Sequence, residues 1–348
     1  MTEQITLYVP RPIDDEAAAI LYAVLCGQIY DDWDWTSISS RTLKGIVGNE
    51  YPDVLEYLED RGLIRRNLSY KSGEGGFCRE YQVLPTRDMH FVEITKTRYR
   101  KQFYKRFTGT DNRLCEQIED RLHELWLDFD EADAVAANMI SEGNLVDAAR
   151  SRVSVGLFAS NHRGKVSQDD FSGRVHHPVS MMKRALRRLL RHDDGELVTI
   201  DAHASQAFIL GYLARDTACL QVCSEGLFWK ELGGYTLTSE KKDWLKKQVY
   251  CQFYGGRSTI LADRYPDLNS FLTGYQGRAK GRELCQQAQT IEREIFIDDV
   301  LMSLYGEGIF AVPIHDAIMC LKKDEELVSD RIRLAIEKRT GVTPFIAP

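Results

Sequence analysis

The chain of 348 residues lacks several things, and each shortage removes a class of protein. No run approaches the roughly 18 uninterrupted apolar residues of a membrane helix, so no membrane partner is expected. The opening "MTEQITLYVPRPIDDE" carries acids and no apolar core, so no secretory signal is expected and the expected compartment is the cytoplasm. Cysteine pairs at zinc spacing are missing: the eight cysteines are scattered, with Cys219 and Cys223 too far apart for CxxC, and they read as free thiols in a reducing compartment. There is no GxxxxGK[ST] loop, and the only glycine-rich cluster, "SGEGG", lies between two strand-like segments. Internal repeats and low-complexity stretches are absent. Positive charge is also in deficit, with a net charge of −7.

That deficit is local. Residues 1–62 hold twelve Asp/Glu against four Lys/Arg, which accounts for the whole excess of acid. Two later segments are basic. "TKTRYRKQFYKRFTGT" (95–110) has six Lys/Arg, no acid and four aromatics, Tyr99, Phe103, Tyr104 and Phe107. Residues 150–191 hold ten Lys/Arg against Asp169 and Asp170. Phosphate neutralisation depends on local rather than total charge, and interleaved aromatics offer stacking platforms for bases. A charge run is as often a solvated face, so both readings stand for these segments.

Residues 14–29 read as a helix with an acidic first turn. Two helices are expected over 37–48 and 49–64, the second ended by Gly62. "LIRRNLSY" and "FCREYQVL" read as strands either side of the hairpin loop "KSGEGG". Three helices followed by two strands is the order of a winged helix-turn-helix, whose second paired helix would read the major groove. Here that helix carries Asp53, Glu56, Glu59 and Asp60, so a protein-contact module is the competing reading. Residues 89–145 read as amphipathic helix. "SMMKRALRRLLRHDDGE" (180–196) is expected as a basic helix, "LVTID" (197–201) as a strand, 206–232 as helix, and 238–256 as a helix capped by Thr238 or Ser239. Helices continue to about 305. Two short strands are expected in "GIFAVPIHDAIMCLKK" (308–323), meeting at His315–Asp316, and a last helix, about 325–339, stops at Gly341.

"AVPIHDAIMCL" (311–321) sets a carboxylate in an apolar stretch, which is tolerated only with a compensating partner. "LVTIDAHASQ" puts Asp201 at the end of an apolar strand, and "VPIHDAI" puts Asp316 at a hairpin tip. Two aspartates on strand ends can lie side by side, and like charges at that range need compensation. Magnesium suits such oxygen ligands, and paired magnesium ions activate an attacking oxygen while stabilising a leaving one. Each aspartate alone reads equally as a turn or cap. Between them, helix 238–256 carries Lys242, Lys246, Tyr250, Tyr254 and Gly255; residues four apart share one side of a helix. That face offers two cations for a triphosphate and two rings for a base.

With these residues in view, the chain resembles the group of family A DNA polymerases and phage-type single-subunit RNA polymerases. The group's first motif, a strand-end Asp followed by Ser/Gln, is matched by Asp201, Ser205 and Gln206. Its helix motif Arg/Lys-x3-Lys-x3-Phe/Tyr-x3-Tyr-Gly is matched by Lys242, Lys246, Tyr250, Tyr254 and Gly255. Its hairpin motif is matched by His315 and Asp316, with Ala317 where an acid or serine usually follows. The resemblance covers about 150–348. It implies that Asp201 and Asp316, with the backbone carbonyl of Ala202, hold two Mg2+ ions (or Mn2+). It implies that Lys246 contacts the triphosphate and protonates the leaving pyrophosphate, and that Lys242 grips the terminal phosphate. Tyr250 would lie against sugar and base, Tyr254 would border the nascent pair, and Gln206 would stand at the sugar-selecting position. His315 would contact the primer end, and Arg174, Lys183, Arg187 and Arg188 would hold primer or template.

The departures matter as much. Gln206 replaces the sugar-selecting Glu of the DNA polymerases, whereas Ser205 matches the RNA polymerases, so dNTP and NTP both remain candidate substrates. The two aspartates are 115 residues apart, which leaves room only for reduced fingers, and residues 1–150 lack the Asp-x-Glu cluster of a proofreading exonuclease. The expected fold class is α+β: a right-hand polymerase, with a small antiparallel palm sheet and helical fingers and thumb, plus an N-terminal winged helix. The expected divisions are 1–88 winged-helix-like, 89–150 thumb-like, and 151–348 palm and reduced fingers. The expected function is a small template-directed DNA polymerase of a plasmid, phage or mobile element, acting on a DNA primer-template (or RNA) in a bacterial or phage-infected cell. A replication-protein partner would bind residues 1–88. An RNA polymerase or primase of the same fold, and a non-catalytic DNA-binding initiator, are the alternatives.

Overall fold

The computed structural model describes the chain apart from residues 1–4, 28–34, 68, 70–77, 108–111, 160–165, 235 and 348, and apart from the side chains of 27, 103–107, 146 and 347. The expected "KSGEGG" loop therefore lies outside the described residues. The chain forms two compact units. The first comprises residues 1–167 and 176–191, the second 168–175 and 192–348. Among the described residues no helix is long and apolar enough to cross a membrane. All eight cysteines are free.

The first unit opens with strand β1 (Thr6–Pro10) and helix α1 (Glu16–Gly27). Every residue of α1 from Ala17 to Cys26 is buried, as expected of a helix apolar on all sides. Asp15 caps it, its Oδ1 accepting from the amides of Ala17 and Ala18 at 2.9 and 3.0 Å. Strand β2 (Thr36–Ser37), helices α2 (Ser40–Val47) and α3 (Tyr51–Asp60), and strands β3 (Ile64–Asn67) and β4 (Glu80–Val83) follow. The three strands form a sheet in the order β2–β4–β3. Ser39 caps α2 by accepting from the Thr42 amide at 3.1 Å.

Strand β5 (Met89–Glu93) then pairs antiparallel with β1, Thr6 opposite Glu93. The expectation of helix throughout 89–145 is corrected at this point, because the alternating "MHFVE" finds a strand partner some eighty residues earlier. Helices α4 (Thr97–Phe107) and α5 (Arg113–His123), strand β6 (Leu125–Trp126), and helices α6 (Phe129–Ser141) and α7 (Leu145–Ala159) complete the main run. Ala149, Val153 and Leu157 of α7 join residues 5–99 in one hydrophobic core. The chain on both sides of residue 88 thus shares a core, and α7 runs through residue 150. Tyr99, expected as a stacking platform, is 2% exposed, with the Arg98 guanidinium 4.4 Å from its ring centre.

Strands β7 (Ser167–Gln168) and β8 (Val175–His176) precede helices α8 (Pro178–Met181) and α9 (Arg184–Arg187), and strand β9 (Arg191–His192) follows. The single basic helix expected over 180–196 is therefore two one-turn helices. Met182 and Lys183 are extended between them, with ψ 141° and 150°. A continuous helix would stack Arg184, Arg187, Arg188 and Arg191 at like-charge spacings. The break instead lets Arg187 donate to the Met182 carbonyl at 2.5 Å and Lys183 reach Asp147 at 2.8 Å.

In the second unit, strand β10 (Leu197–Ala202) leads into helices α10 (Ser205–Ala214), α11 (Thr217–Ser224), α12 (Phe228–Gly233), α13 (Ser239–Phe253), α14 (Pro266–Thr273) and α15 (Arg278–Arg293). The helix runs on through a π-helical stretch, Glu294–Leu301, into α16 (Met302–Gly306). Strands β11 (Ala311–Ile314) and β12 (Ala317–Leu321), helix α17 (Glu325–Thr340) and strand β13 (Ile346–Ala347) close the unit. The sheet is antiparallel, in the order β11–β12–β10–β13. Pro313 sits in β11, an edge strand where a missing amide is tolerated. Thr238 caps α13, as its sequence suggests, and Gly341 ends α17 at φ 74°.

The helix expected over 206–232 is broken after α10. Arg215 turns left-handed at φ 57°, and Asp216, 2% exposed, takes over. Its Oδ1 accepts from the Cys219 amide and its Oδ2 from the Leu268 amide, each at 2.9 Å, so one carboxylate satisfies the N-termini of α11 and α14. Asp216→Ala leaves both amides unsatisfied in the interior. It should lower unfolding free energy by about 2–4 kcal/mol, measured by urea titration.

Candidate active site

The pairing of β10 with β12 sets Asp201 opposite Ala317, the residue after Asp316. The backbone amide of Ala202 donates to the Asp316 carbonyl at 3.5 Å. Residues 311–314 and 317–321 are wholly buried, so the hairpin can show polar groups only at its two-residue tip. His315 is exposed there at φ 55°. Positive φ at the first tip residue matches the twist of a tight hairpin but is strained without glycine, at a cost of order 1 kcal/mol.

A second left-handed residue, Ala204 at φ 55° and ψ 37°, turns the chain from β10 into α10. The turn aims the buried Ser205 hydroxyl at Asp316, donating to Oδ2 at 2.5 Å. Ser205 thereby fixes one oxygen of Asp316, while Asp201 stands exposed at the strand end.

Helix α13 turns its patterned face to the same place. The His203 imidazole, two residues past Asp201, has its pKa lowered by burial first and then by the charges of Lys242, Lys246 and Lys230. Three ammonium groups therefore act on this ring through their charge. Among the described residues none of the three makes an ion pair, and the buried Nδ1 of His203 has no hydrogen-bond partner. Further along α13, the Tyr250 hydroxyl is pushed well up by burial first, then by the charges of Asp316, Tyr254, Glu292 and Asp201. Its ring stacks on Tyr254 at 6.1 Å and 17° and meets Trp229 edge-on at 6.4 Å. The Tyr254 hydroxyl donates to Gln206 Oε1 at 2.7 Å, and burial raises its pKa to about 12.

Glu292 was missed in the sequence. It is 2% exposed on the inner face of α15 and pairs with Arg174. Burial raises its pKa to about 7 despite Arg174, and the charge of Asp316 pushes the same way. A signal was available: Leu284, Ala288 and Glu292 are four apart, so this acid falls on the apolar stripe of its helix. His203 and Lys230 were missed as well.

The second unit thus holds Asp201, Ala202, Gln206, Arg174, Lys242, Lys246, Tyr250, Tyr254, His315 and Asp316. Lys183, Arg187 and Arg188 belong to the first unit, where Lys183 and Arg187 make the internal bonds described above. No group of three or more His, Cys, Asp or Glu side chains that could hold a metal occurs among the described residues. The donor set available to a cation is the carboxylate pair Asp201 and Asp316. Two hard oxygen ligands fit magnesium, which characteristically takes one or two carboxylates and completes its shell with water and substrate phosphate.

Gly255 (φ 84°) and Gly281 join α13 to α15. A Cβ on Gly255 would lie 2.7 Å from the Gly277 carbonyl oxygen, and one on Gly281 would collide with the Tyr254 carbonyl. The Gly277 amide donates to the Gly255 carbonyl at 2.9 Å. Rings and Glu292 are therefore positioned through bare backbone contact.

No family model matches the chain, and no curated protein matches it. Among solved structures it is similar to the POL domain of Pol1 from M. smegmatis, determined in complex with DNA primer-template and dNTP. The identity is 15% over 62% of this chain and 54% of that one, with a TM-score of 0.42. The match spans about half the length of that neighbour.

Gly281→Ala should force the end of α13 away from α15, lowering stability by about 1–3 kcal/mol and changing the near-ultraviolet dichroism of the stacked tyrosines. Glu292 gives a pH signature. Its folded pKa lies above its ordinary 4.5, so the folded state binds the proton more tightly. This group's contribution to stability should therefore fall as pH rises from 4.5 to about 7. In thermal melts across that window the wild type should lose ground against Glu292→Gln.

Proposed function

We propose that the chain is a template-directed nucleotidyltransferase, a compact DNA polymerase acting on a primer-template. The observation that carries this reading is the convergence, within one unit, of Asp201, Asp316 and the lysine–tyrosine face of α13. The Tyr250 hydroxyl feels the charge of both carboxylates, and the charges of Lys242, Lys246 and Lys230 reach the ring of His203, two residues past Asp201. Paired acids with unpaired cations alongside suit a substrate that is a polyanion reacting at one end.

In this reading the lysines hold the triphosphate and Lys246 protonates the departing pyrophosphate. Tyr250 and Tyr254 receive the base and sugar. Ser205 keeps Asp316 in one orientation, so that its free oxygen and Asp201 face the same space. Magnesium ions bound by these carboxylates, with Mn2+ as a substitute, would activate the attacking primer hydroxyl and neutralise the leaving oxygen. His315 at the hairpin tip and Arg174 are the primer-side groups, although Arg174 is engaged by Glu292 in the structure.

Residues 1–88 are proposed to be a winged helix-turn-helix. The order α1–β2–α2–α3–β3–β4 with sheet order β2–β4–β3 supports it. Acidic α3, with Glu59 paired to Arg66, favours a protein partner of the replication machinery over the major groove. A plasmid, phage or other mobile element is the proposed setting.

Primer extension with magnesium tests the reading, offering dNTPs and NTPs separately, with and without primer. Wild type should extend. Asp201→Ala and Asp316→Ala should abolish incorporation while leaving the fold intact by circular dichroism, and Lys246→Ala should slow it by about a hundredfold. DNA binding with no incorporation of either nucleotide would instead identify an initiator, and extension confined to NTPs would identify an RNA polymerase or primase.

A further inference from the structure

Asp201 shares a ladder with the Asp316 hairpin, but its own backbone groups point the other way. Along a strand, successive amide and carbonyl groups turn to alternate sides. The Ala202 amide donates toward the hairpin, to the Asp316 carbonyl at 3.5 Å. The next amide, that of His203, donates to the opposite side, to the Phe345 carbonyl at 3.1 Å. By the same alternation the amide and carbonyl of Asp201 are directed away from β12 and toward β13, where Ala347 lies opposite.

Strand β13 is short for that task. It pairs Ile346 with Ala202 and Ala347 with Asp201. Among the described residues, Leu197 to Ile200 have a strand neighbour on the β12 side only, so β10 is flanked on both sides just where it carries Asp201. So short a pairing is marginal by itself, and Phe345 supplies the hold. Its ring meets the His203 ring edge-on, at 6.0 Å and 86°. It also lies on the bare face of Gly226, at φ 70°, where a Cβ would come within 2.8 Å of the ring. A ring 42% exposed is thus seated between an imidazole and a glycine. Ala202, His203 and Pro344 border a small, largely apolar cavity, so side-chain packing beneath this turn is incomplete. Pairing with β13, rather than packing from below, fixes the chain on either side of Ala202.

We infer that Phe345 is a positioning residue for Asp201: it clips β13 onto the end of β10 and so sets where the carboxylate stands relative to Asp316. Its consequence for catalysis rests on the nucleotidyl-transfer reading of the site, whereas its effect on the strand does not.

Hydrogen exchange read by mass spectrometry and magnesium-dependent primer extension, both on the full chain, compare wild type, Phe345→Ala and Phe345→Tyr. In Phe345→Ala, exchange of a peptide spanning 198–204 should quicken by about tenfold, while one spanning 311–321 keeps its protection. Its kcat should fall about tenfold and the Mg2+ concentration for half-maximal rate should rise about tenfold, with nucleotide KM changed less than about threefold. Phe345→Tyr keeps the ring and should behave as wild type. A merely structural role would lower the melting temperature of Phe345→Ala without this split between kcat and KM. Unchanged protection of 198–204, an unchanged kcat in an active enzyme, or a Phe345→Tyr as impaired as Phe345→Ala would overturn the inference and leave the function standing. A wild type that incorporates nothing, with exchange still quickened in Phe345→Ala, would remove the catalytic reading alone. Should Phe345→Ala not fold, Phe345→Leu, which keeps apolar bulk without the ring, takes its place under the same outcomes.

Discussion

The ladder between β10 and β12 is the constraint on which the site depends. Its register runs from Leu197 opposite Leu321 to Asp201 opposite Ala317. Because side chains alternate across a sheet, a slip of one residue would carry Asp201 to the other face. The buried apolar residues of β11 and β12 hold that register. They also explain why polar groups of the hairpin are confined to its tip. The carboxylates are then met by neighbours of different kinds: Ser205 donates to one, the lysines of α12 and α13 supply positive charge nearby, and Tyr250 stays protonated because burial, and after it the carboxylate charges, disfavour its ionised form.

A second constraint is the glycine contact between the end of α13 and the start of α15. It has no side chains to adjust, so it transmits position rigidly. Tyr254 caps the end of α13 and donates to Gln206, and Glu292 lies in the last turn of α15. The π-helical stretch begins two residues beyond Glu292 and buries Ile295, Phe296 and Ile297 in succession. A regular helix would swing one of these three toward solvent. The wider turn keeps the helix packed beyond the point where an acid has been admitted to its inner face.

What was legible in the sequence was local. The Thr238 cap, the Gly341 stop, the apolar arms around His315–Asp316 and the spacing of Lys242, Lys246, Tyr250 and Tyr254 each rest on residues a few positions apart, and each element lies close to where its pattern indicates. What was not legible depended on distant partners. β5 reads as part of a helical stretch until β1 is brought beside it. The basic run 180–196 looks continuous until Asp147 draws Lys183 out of register. Asp216 lies inside a stretch that reads as one helix, and only the fold shows that it serves the N-termini of two. Glu292 lay on an apolar stripe, but its meaning depends on Arg174, which is 118 residues away.

Charge density alone does not say which cations the fold leaves available. The segments 95–110 and 150–191 stand out by density, yet several of their charges are engaged within the protein: Arg98 with Glu50, Arg152 with Asp133, Lys183 with Asp147 and Arg174 with Glu292. Part of their basicity therefore balances internal acid. Lys230, Lys242 and Lys246 come from stretches with no comparable excess, and among the described residues they have no carboxylate partner. Their charges lower the pKa of the half-buried His203 imidazole after burial has done so. Cations that the fold leaves unpaired are therefore better candidates for meeting an outside anion than those it has already paired.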